Sequence, residues 1–383
     1  MTGASGTAWW RVRRRELLAE LGERDCAYAY DLATLRHQAR AMRGLGSVSR
    51  VLYALKANPH PAILRAVREE GCGFECVSPG EVERVHEAVP GVQPDEILFT
   101  PNFAPRAEYR WALERGIRVT VDNAAILRDW SGLFEGREIF LRLDAAGGRG
   151  HHEKVRTGGR HSKFGVPPEE FAELPRAVAA SGARVTGLHA HGGSGHFDPA
   201  GWAEPARVLA AEAARYPGVR ILNLGGGFGV AAAPGEAPMD LAALDAALAP
   251  FAAGAPGFEI WIEPGRYVAA GAGVLLARVT QVKRKGEECY VGVATGMNSL
   301  IRPALYGAYH EIVNLSRLDA PATVRCTVVG PVCESGDELG RGRLLPPCAE
   351  GDVMLIADAG AYGRSMASHY NLRAPAPEIV VGG

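Results

Sequence analysis

The sequence predicts an α/β chain: a (β/α)₈ barrel followed by a C-terminal antiparallel β domain. Three observations predict it. From about residue 50 to 270, short continuously apolar runs alternate with helical stretches, the pattern of a parallel sheet covered on its faces. Beyond about residue 270, the apolar runs follow one another without long helices between them. Finally, most of the unusual residue combinations stand just after the apolar runs of the first region, where a barrel of this kind places its active site.

The barrel elements read in order. Val51–Leu55 is a buried strand and Pro61–Glu70 a helix; Gly73–Val77 is the second strand and Pro79–Ala88 the next helix. Strands then follow at Glu96–Phe99, Arg118–Val121, Ile139–Leu143, Arg184–Leu188, Ile221–Leu224 and Phe258–Ile262. Eight such units over roughly 200–250 residues suit a closed barrel. Gly273–Val279, Cys289–Val293, Thr323–Val329 and Asp352–Ile356 then read as strands of the second domain. The stretch Ala145–Lys163 is a long loop rich in Gly, His and basic residues, a length that in a compact domain usually serves function.

Bulk properties bound the function. The chain has 383 residues, enough for one large domain and a smaller one. Hydrophobic residues are 47% and charged residues 22%, the balance of an ordinary globular protein. A formal net charge of −1 points to neither nucleic acid nor a membrane surface. No apolar run approaches the roughly 20 residues that span a bilayer. The N-terminus, with Trp9, Trp10 and the basic residues from Arg11 to Arg15, reads as an amphipathic helix and lacks the features of a signal peptide. Seven cysteines at scattered spacings read as reduced thiols of a cytoplasmic protein, without a disulfide framework or a structural zinc site.

Four motifs carry chemistry. Lys56 follows the first strand in Tyr53–Asn58; a lysine closing a buried strand is desolvated toward the neutral amine that a Schiff base needs, and a snorkelling side chain is an equal reading. His189-Ala190-His191-Gly192-Gly193-Ser194 is either half of a zinc site, a stacking ring with an anion-binding turn, or a pair of loop histidines. Gly225-Gly226-Gly227-Phe228-Gly229 lets backbone amides approach an anion, or forms a plain turn; it lacks the features of the dinucleotide fingerprint. Glu263-Pro264-Gly265-Arg266 offers a carboxylate to a pyridine nitrogen and a cation to a phosphate, or ends a strand with a surface ion pair. Their shared position after successive strands describes the needs of a phosphorylated pyridine aldehyde.

On these residues the chain resembles the fold-type III pyridoxal-phosphate decarboxylases, which share an alanine racemase-like barrel, and within them the diaminopimelate decarboxylases. Further matching stretches are Gly150-His151-His152, Thr157-Gly158-Gly159, Ser162–Gly165, Gly296–Asn298, Ile301–Tyr306, Cys333–Asp337, Gly360–Tyr362 and Ser365–Asn371, so that the likeness runs from about Ala27 to Val381. The resemblance implies an N-terminal segment (1–40) packing with the β domain, a cofactor-binding barrel (41–272) and a β domain (273–383). It implies pyridoxal 5′-phosphate on Lys56, with His191 stacking on the ring, Glu263 at the pyridine nitrogen and Glu75 lining the cofactor site. Ser194, Gly226, Gly227, Gly229, Gly265, Arg266 and Tyr362 would surround the phosphate. Cys333 of the neighbouring subunit would be the acid in a homodimer with shared active sites, and Arg266, Arg302, Tyr306, Glu334 and Tyr362 would grip the far end of an amino-acid substrate.

The implied reaction is decarboxylation of meso-2,6-diaminopimelate to L-lysine. A zwitterionic far end needs a guanidinium for its carboxylate and a carboxylate for its ammonium, and Arg302 and Glu334 supply that pair. Cys333 stands in a polar loop with Glu334, Ser335 and Asp337, unlike a small buried hydrophobe. Thr100–Arg106 and Asp144–Gly147 depart from the family's usual segments and are similar to the decarboxylase half of forms fused to aspartokinase, although this chain holds no kinase half. Such variant loops leave open ornithine, arginine, carboxynorspermidine or carrier-linked substrates. A racemase of the same fold type would want a tyrosine base in place of Cys333. A non-catalytic pyridoxal-phosphate-binding protein would have no use for Cys333, Glu334 and Tyr362.

Overall fold

The computed structural model describes residues 8–130, 132–145, 162–254 and 257–382. Two compact units divide the chain: Gln38–Gly229 with Met239–Gly265, and Met1–His37 with Val230–Pro238 and Arg266–Gly383. Strand β1 (Cys26–Asp31) comes first in sequence and belongs to the second of these.

The first unit is the barrel that the alternating pattern predicts. Its strands are β2 (Val48–Ala54), β3 (Gly73–Cys76), β4 (Ile97–Phe99), β5 (Arg118–Val121), β6 (Glu138–Arg142), β7 (Arg184–His189), β8 (Ile221–Asn223) and β9 (Glu259–Ile262). All neighbours pair in parallel, and β9 returns to β2 to close the ring. The helices begin where the sequence signals them. Ser78 caps Pro79–Ala88 by accepting from the Glu81 amide, with proline in the first turn.

The barrel interior is built in layers. Leu52 of β2, Leu98 of β4, Phe140 of β6 and Ile221 of β8 form one buried cluster with Trp261 of β9. Four of the five come from alternate strands, because side chains at one height would collide if every strand contributed a large one. Two of the intervening strands, β3 and β7, supply glycine at this level. A Cβ on Gly187 of β7 would meet the Phe140 ring at 2.7 Å, and one on Gly73 of β3 would meet Leu52 at 2.8 Å.

The second unit holds an eight-stranded sheet. The strands after β9 are β10 (Gly273–Lys285), β11 (Glu288–Val293), β12 (Ile312–Asn314), β13 (Val324–Val329), β14 (Glu338–Leu345), β15 (Val353–Ile356) and β16 (Glu378–Val381), and the main order is β12-β15-β10-β11-β13-β14. Most pairs are antiparallel, as expected, but β11 pairs β13 and β1 pairs β16 in parallel. Both β1 and the helices Trp9–Val12 and Arg14–Leu21 were beyond the strand pattern of the sequence. Trp9, Trp10, Leu17 and Leu21 are buried with Ala27, Val274, Leu276, Leu355 and Val381 in one core. The amphipathic N-terminus therefore supplies one wall of the β domain. Among the described residues no helix is long and apolar enough to cross a membrane.

Candidate active site

Strand alternation builds the polar site directly on the apolar layer. Successive side chains of a strand face opposite sides, so each second residue points inward again. Two residues beyond the members of the layer or their neighbours stand Glu75, Thr100, Arg142, His189, Asn223 and Glu263. Each lies at or just past the C-terminal end of its strand. All but Arg142 are among the buried polar residues.

Glu263 is the centre of this ring. It is 5% exposed, accepts a 2.7 Å hydrogen bond from Asn223 Nδ2 at Oε1, and lies 3.3 Å from His189 Nε2 at Oε2. Burial alone would raise its pKa, but His189 beside it, with the charge of Lys56, outweighs burial and holds the carboxyl below its ordinary value. Asn223 is fixed in turn, because its Oδ1 accepts from the Gly225 amide at 2.9 Å. The two histidines thus take separate partners, which removes the zinc half-site reading. His191 Nδ1 accepts from the Gly226 amide at 3.1 Å. Burial, followed by the charge of Arg142, pushes His191 well below its usual pKa, so the ring is neutral with its proton on Nε2.

Of the two environments read for Lys56, the structure shows the part-exposed one. It stands on a 3₁₀ turn, Leu55–Ala57, beyond β2, and its side chain is 42% exposed. Its Nζ donates to Glu75 Oε2, while Glu75 Oε1 accepts from Thr100 Oγ1. The side chain is therefore ion-paired and part-exposed, and the strand end does not bury it. Glu75 itself is 2% exposed.

The glycine run is shaped by close approach. Gly227 has φ +95°, and a Cβ there would come within 2.1 Å of the Gly193 carbonyl oxygen. A Cβ on Gly226 would come within 2.3 Å of the Glu263 carbonyl oxygen, and one on Gly229 within 2.7 Å of the Phe197 ring. The Gly195 and His196 amides both donate to the Gly227 carbonyl, at 2.8 and 2.9 Å. The run is therefore stapled to the loop that carries His191 and half-buried Ser194. Trp202 locks it from behind, donating to Gly226 O at 3.0 Å and stacking on Phe228 with centroids 4.4 Å apart. Gly265 has a different use: a Cβ there would meet Ala57 at 2.9 Å and Ala54 at 3.1 Å, so it lets the strand end lie against the Lys56 turn.

The second unit holds the remaining residues. The Arg266 guanidinium lies 4.9 Å from the Tyr362 ring centroid, and Tyr362 adopts φ +57°, a conformation that a side chain pays strain to hold. Arg302 is 9% exposed and meets His310 Nε2 at 3.1 Å, while His310 Nδ1 donates to the Ala357 carbonyl at 2.8 Å. With Nδ1 donating, Nε2 accepts from the guanidinium. Burial, then the charge of Arg266, brings Arg302 down to about 10, and Tyr362 and Tyr306 oppose that shift. A buried, still cationic guanidinium suits a carboxylate ligand.

Cys333 and Glu334 lie on the loop between β13 and β14, and both are exposed. Asp337 anchors that loop, accepting from the amides of Val332 at 2.7 Å and Met297 at 2.6 Å. The Cys333 amide donates to Asn371 Oδ1 at 2.6 Å. Among the described residues no ion pair joins Glu334 to Arg302.

Arg142, Thr100 and Asn223 escaped the reading of the sequence because they belong to no motif. The signal that finds them is positional: each is two residues on from an inward apolar residue of its strand. Arg142 is half-buried, lies 4.5 Å over the Phe164 ring, and its charge acts on Asp122, Glu263 and Glu75. The matched segments Gly150–His152 and Thr157–Gly159 lie outside the described residues.

An amine beside a carboxylate, a neutral buried ring, an ionised buried carboxylate and a glycine-lined turn fit pyridoxal phosphate. The collisions that a Cβ would make at Gly226 and Gly227 show that the turn is built for backbone approach. These features define a barrel of the class that carries a pyridine aldehyde on lysine. The comparisons agree: residues 32–270 match the pyridoxal binding domain of the pyridoxal-dependent decarboxylases. Diaminopimelate decarboxylase of Methanothermobacter thermautotrophicus is 39% identical over 361 residues, covering 90% of this chain and 83% of the relative. That of Archaeoglobus fulgidus is 34% identical over 97% of this chain and 91% of its own. The Helicobacter pylori diaminopimelate decarboxylase complexed with L-lysine superposes with a TM-score of 0.88 at 29% identity, covering 96% of this chain and 94% of that one. The chain belongs to the diaminopimelate decarboxylase family of pyridoxal-phosphate-dependent enzymes.

Proposed function

We propose that this chain decarboxylates meso-2,6-diaminopimelate to L-lysine and carbon dioxide, with pyridoxal phosphate carried on Lys56. The observation that carries this reading is Glu263: a buried carboxylate, held ionised by His189 and Asn223, in the same barrel that presents Lys56 and the glycine turn. An anionic carboxylate of this kind keeps a pyridine nitrogen protonated. The bound cofactor then supplies the electron sink that loss of carbon dioxide requires.

The chain's own residues divide the remaining work. Glu75, paired with Lys56, would hold the lysine side chain at the cofactor's aldehyde and would accept a proton from its amine. His191 presents an uncharged ring face. Ser194, the amides around Gly226, Gly227, Gly229 and Gly265, and Arg266 with Tyr362 bind phosphate. Cys333 delivers the proton to the substrate carbon that lost its carboxylate. Arg302 takes the distal carboxylate, Glu334 the distal ammonium, and Tyr306 borders them. A far end bearing both charges is what separates this substrate from ornithine, whose far end is only an ammonium.

The active assembly in this reading is a homodimer in which Cys333 and Glu334 serve the partner's site. Three features support it: both side chains are exposed, Glu334 pairs with no described residue, and the neighbouring Leu372 is 96% exposed. Asn371, the residue before it, is the one that accepts from the Cys333 amide. Seven cysteines without a disulfide among them accord with a cytoplasmic location.

Carbon dioxide release by the holoenzyme from meso-diaminopimelate, ornithine, arginine and carboxynorspermidine tests the reading. Release from diaminopimelate at a kcat/KM at least about 100-fold above the others is expected, the scale set by buried charges left unpaired. Faster release from ornithine would overturn the substrate, and no release from any would overturn the enzyme.

A further inference from the structure

Cys289 and Cys326 lie outside every role described so far. They stand on β11 and β13, which pair in parallel with Tyr290 opposite Thr327, so each cysteine is one residue before a paired position and both point the same way. Both are 3% exposed, and the Cys326 thiol lies 3.2 Å from Cys289 Sγ. Two sulfurs that are not bonded ordinarily sit further apart than this.

We propose that Cys289 and Cys326 are a redox site that closes to a cross-strand disulfide under peroxide. Neighbouring strands are about 4.8 Å apart, inside the roughly 4.4–6.8 Å between Cα atoms that a disulfide accepts. Closing the sulfurs from 3.2 Å to the bonded length of about 2.05 Å needs a shift of about 1.2 Å, within reach of side-chain rotation. Cys348 is an electrostatic neighbour of Cys326, but its sulfur is engaged by Asn314 Nδ2 at 3.4 Å and the Pro346 carbonyl at 3.3 Å. Burial, with Cys289 adjacent, raises the Cys326 pKa.

The step balances with hydrogen peroxide as oxidant, which is small enough to enter a buried site. One sulfur attacks a peroxide oxygen, becomes a sulfenic acid and releases a water; the second sulfur attacks the sulfenic sulfur, forms the S–S bond and releases another water. The two thiols lose two electrons and one peroxide becomes two waters. The bond would fasten both ends of the stretch from β11 to β13, which carries Arg302 and Tyr306.

The test treats the holoenzyme with peroxide, alkylates the remaining thiols, digests without reductant and maps the peptides by mass. The expected product joins the Cys289 and Cys326 peptides with the loss of two hydrogens and reverts with dithiothreitol. In Cys289→Ala the Cys326 peptide should stay alkylated under the same dose. Full alkylation of both cysteines at doses that oxidise exposed Cys333, or a Cys326–Cys348 link in place of the expected one, would overturn the proposal. Cys289→Ala and Cys326→Ala should retain basal decarboxylation, which shows that the variants fold and that a missing link reflects missing chemistry.

Discussion

Glu263 shows how a single side chain is tuned by three others. Its carboxylate is buried, and His189 and Asn223 answer its two oxygens. Because its folded pKa lies below the ordinary 4.5, its contribution to stability is complete above that pH and is lost as pH falls through the depressed value. Glu263→Gln should therefore lower the thermal midpoint at pH 7, and the gap to the parent should narrow near pH 3; melting at both values checks this. The same variant should decarboxylate roughly 100-fold more slowly, the order of loss when a preorganised charge is removed from a site. Lys56→Ala should lose the visible absorbance of the bound cofactor while retaining its melting transition, because Lys56 is 42% exposed and carries little of the packing. If the absorbance of the parent persists, Lys56 is not the attachment point.

At the level of elements, the glycine turn and the Cys333 loop are held by opposite means. The turn is held by absence of side chains, through backbone contacts that only glycine permits. Gly227→Ala would add a Cβ 2.1 Å from the Gly193 oxygen at φ +95°. A loss of about 2–4 kcal/mol is expected from strain and overpacking, readable by denaturant unfolding. The Cys333 loop is held by one buried carboxylate, Asp337, accepting from Val332 and Met297. Asp337→Ala leaves those amides unsatisfied at a cost of about 1–3 kcal/mol. Since the loop carries Cys333, kcat should fall while cofactor absorbance stays, a split that steady-state kinetics and a spectrum resolve together.

For the whole molecule, the exposure of Cys333, Glu334 and Leu372 makes assembly the issue. If the proposed shared-site dimer forms, Lys56→Ala and Cys333→Ala, each nearly inactive alone, should regain up to about one quarter of parental activity when mixed and allowed to exchange, because half of the random dimers are then mixed and each has one intact site. Failure of complementation with subunit exchange confirmed by mass would argue for sites built from one chain. Much of this fold was legible beforehand. Continuous apolar strands spaced by helices call for a parallel sheet covered on both faces, and all eight barrel strands lie near the positions read from the sequence, as does the helix Pro79–Ala88. The second sheet was less legible: β14, Glu338–Leu345, is polar along much of its length, and its pairing with β13 rests on backbone bonds rather than on an apolar pattern.

The sequence by itself determined the class of chemistry. Lys56, His191, the glycine run and Glu263 are chemically unusual residues placed after strands, and local order is enough to make them recognisable. Tertiary structure alone decided their states. Lys56 is ion-paired with Glu75, nineteen residues away, where the strand end left a desolvated amine and a snorkelling side chain equally open. Arg142, Thr100 and Asn223 matter only because barrel closure turns one face of every strand toward a common interior. A neighbour's charge and burial set whether a group is ionised, and those neighbours come from strands that the chain brings together only when the ring closes.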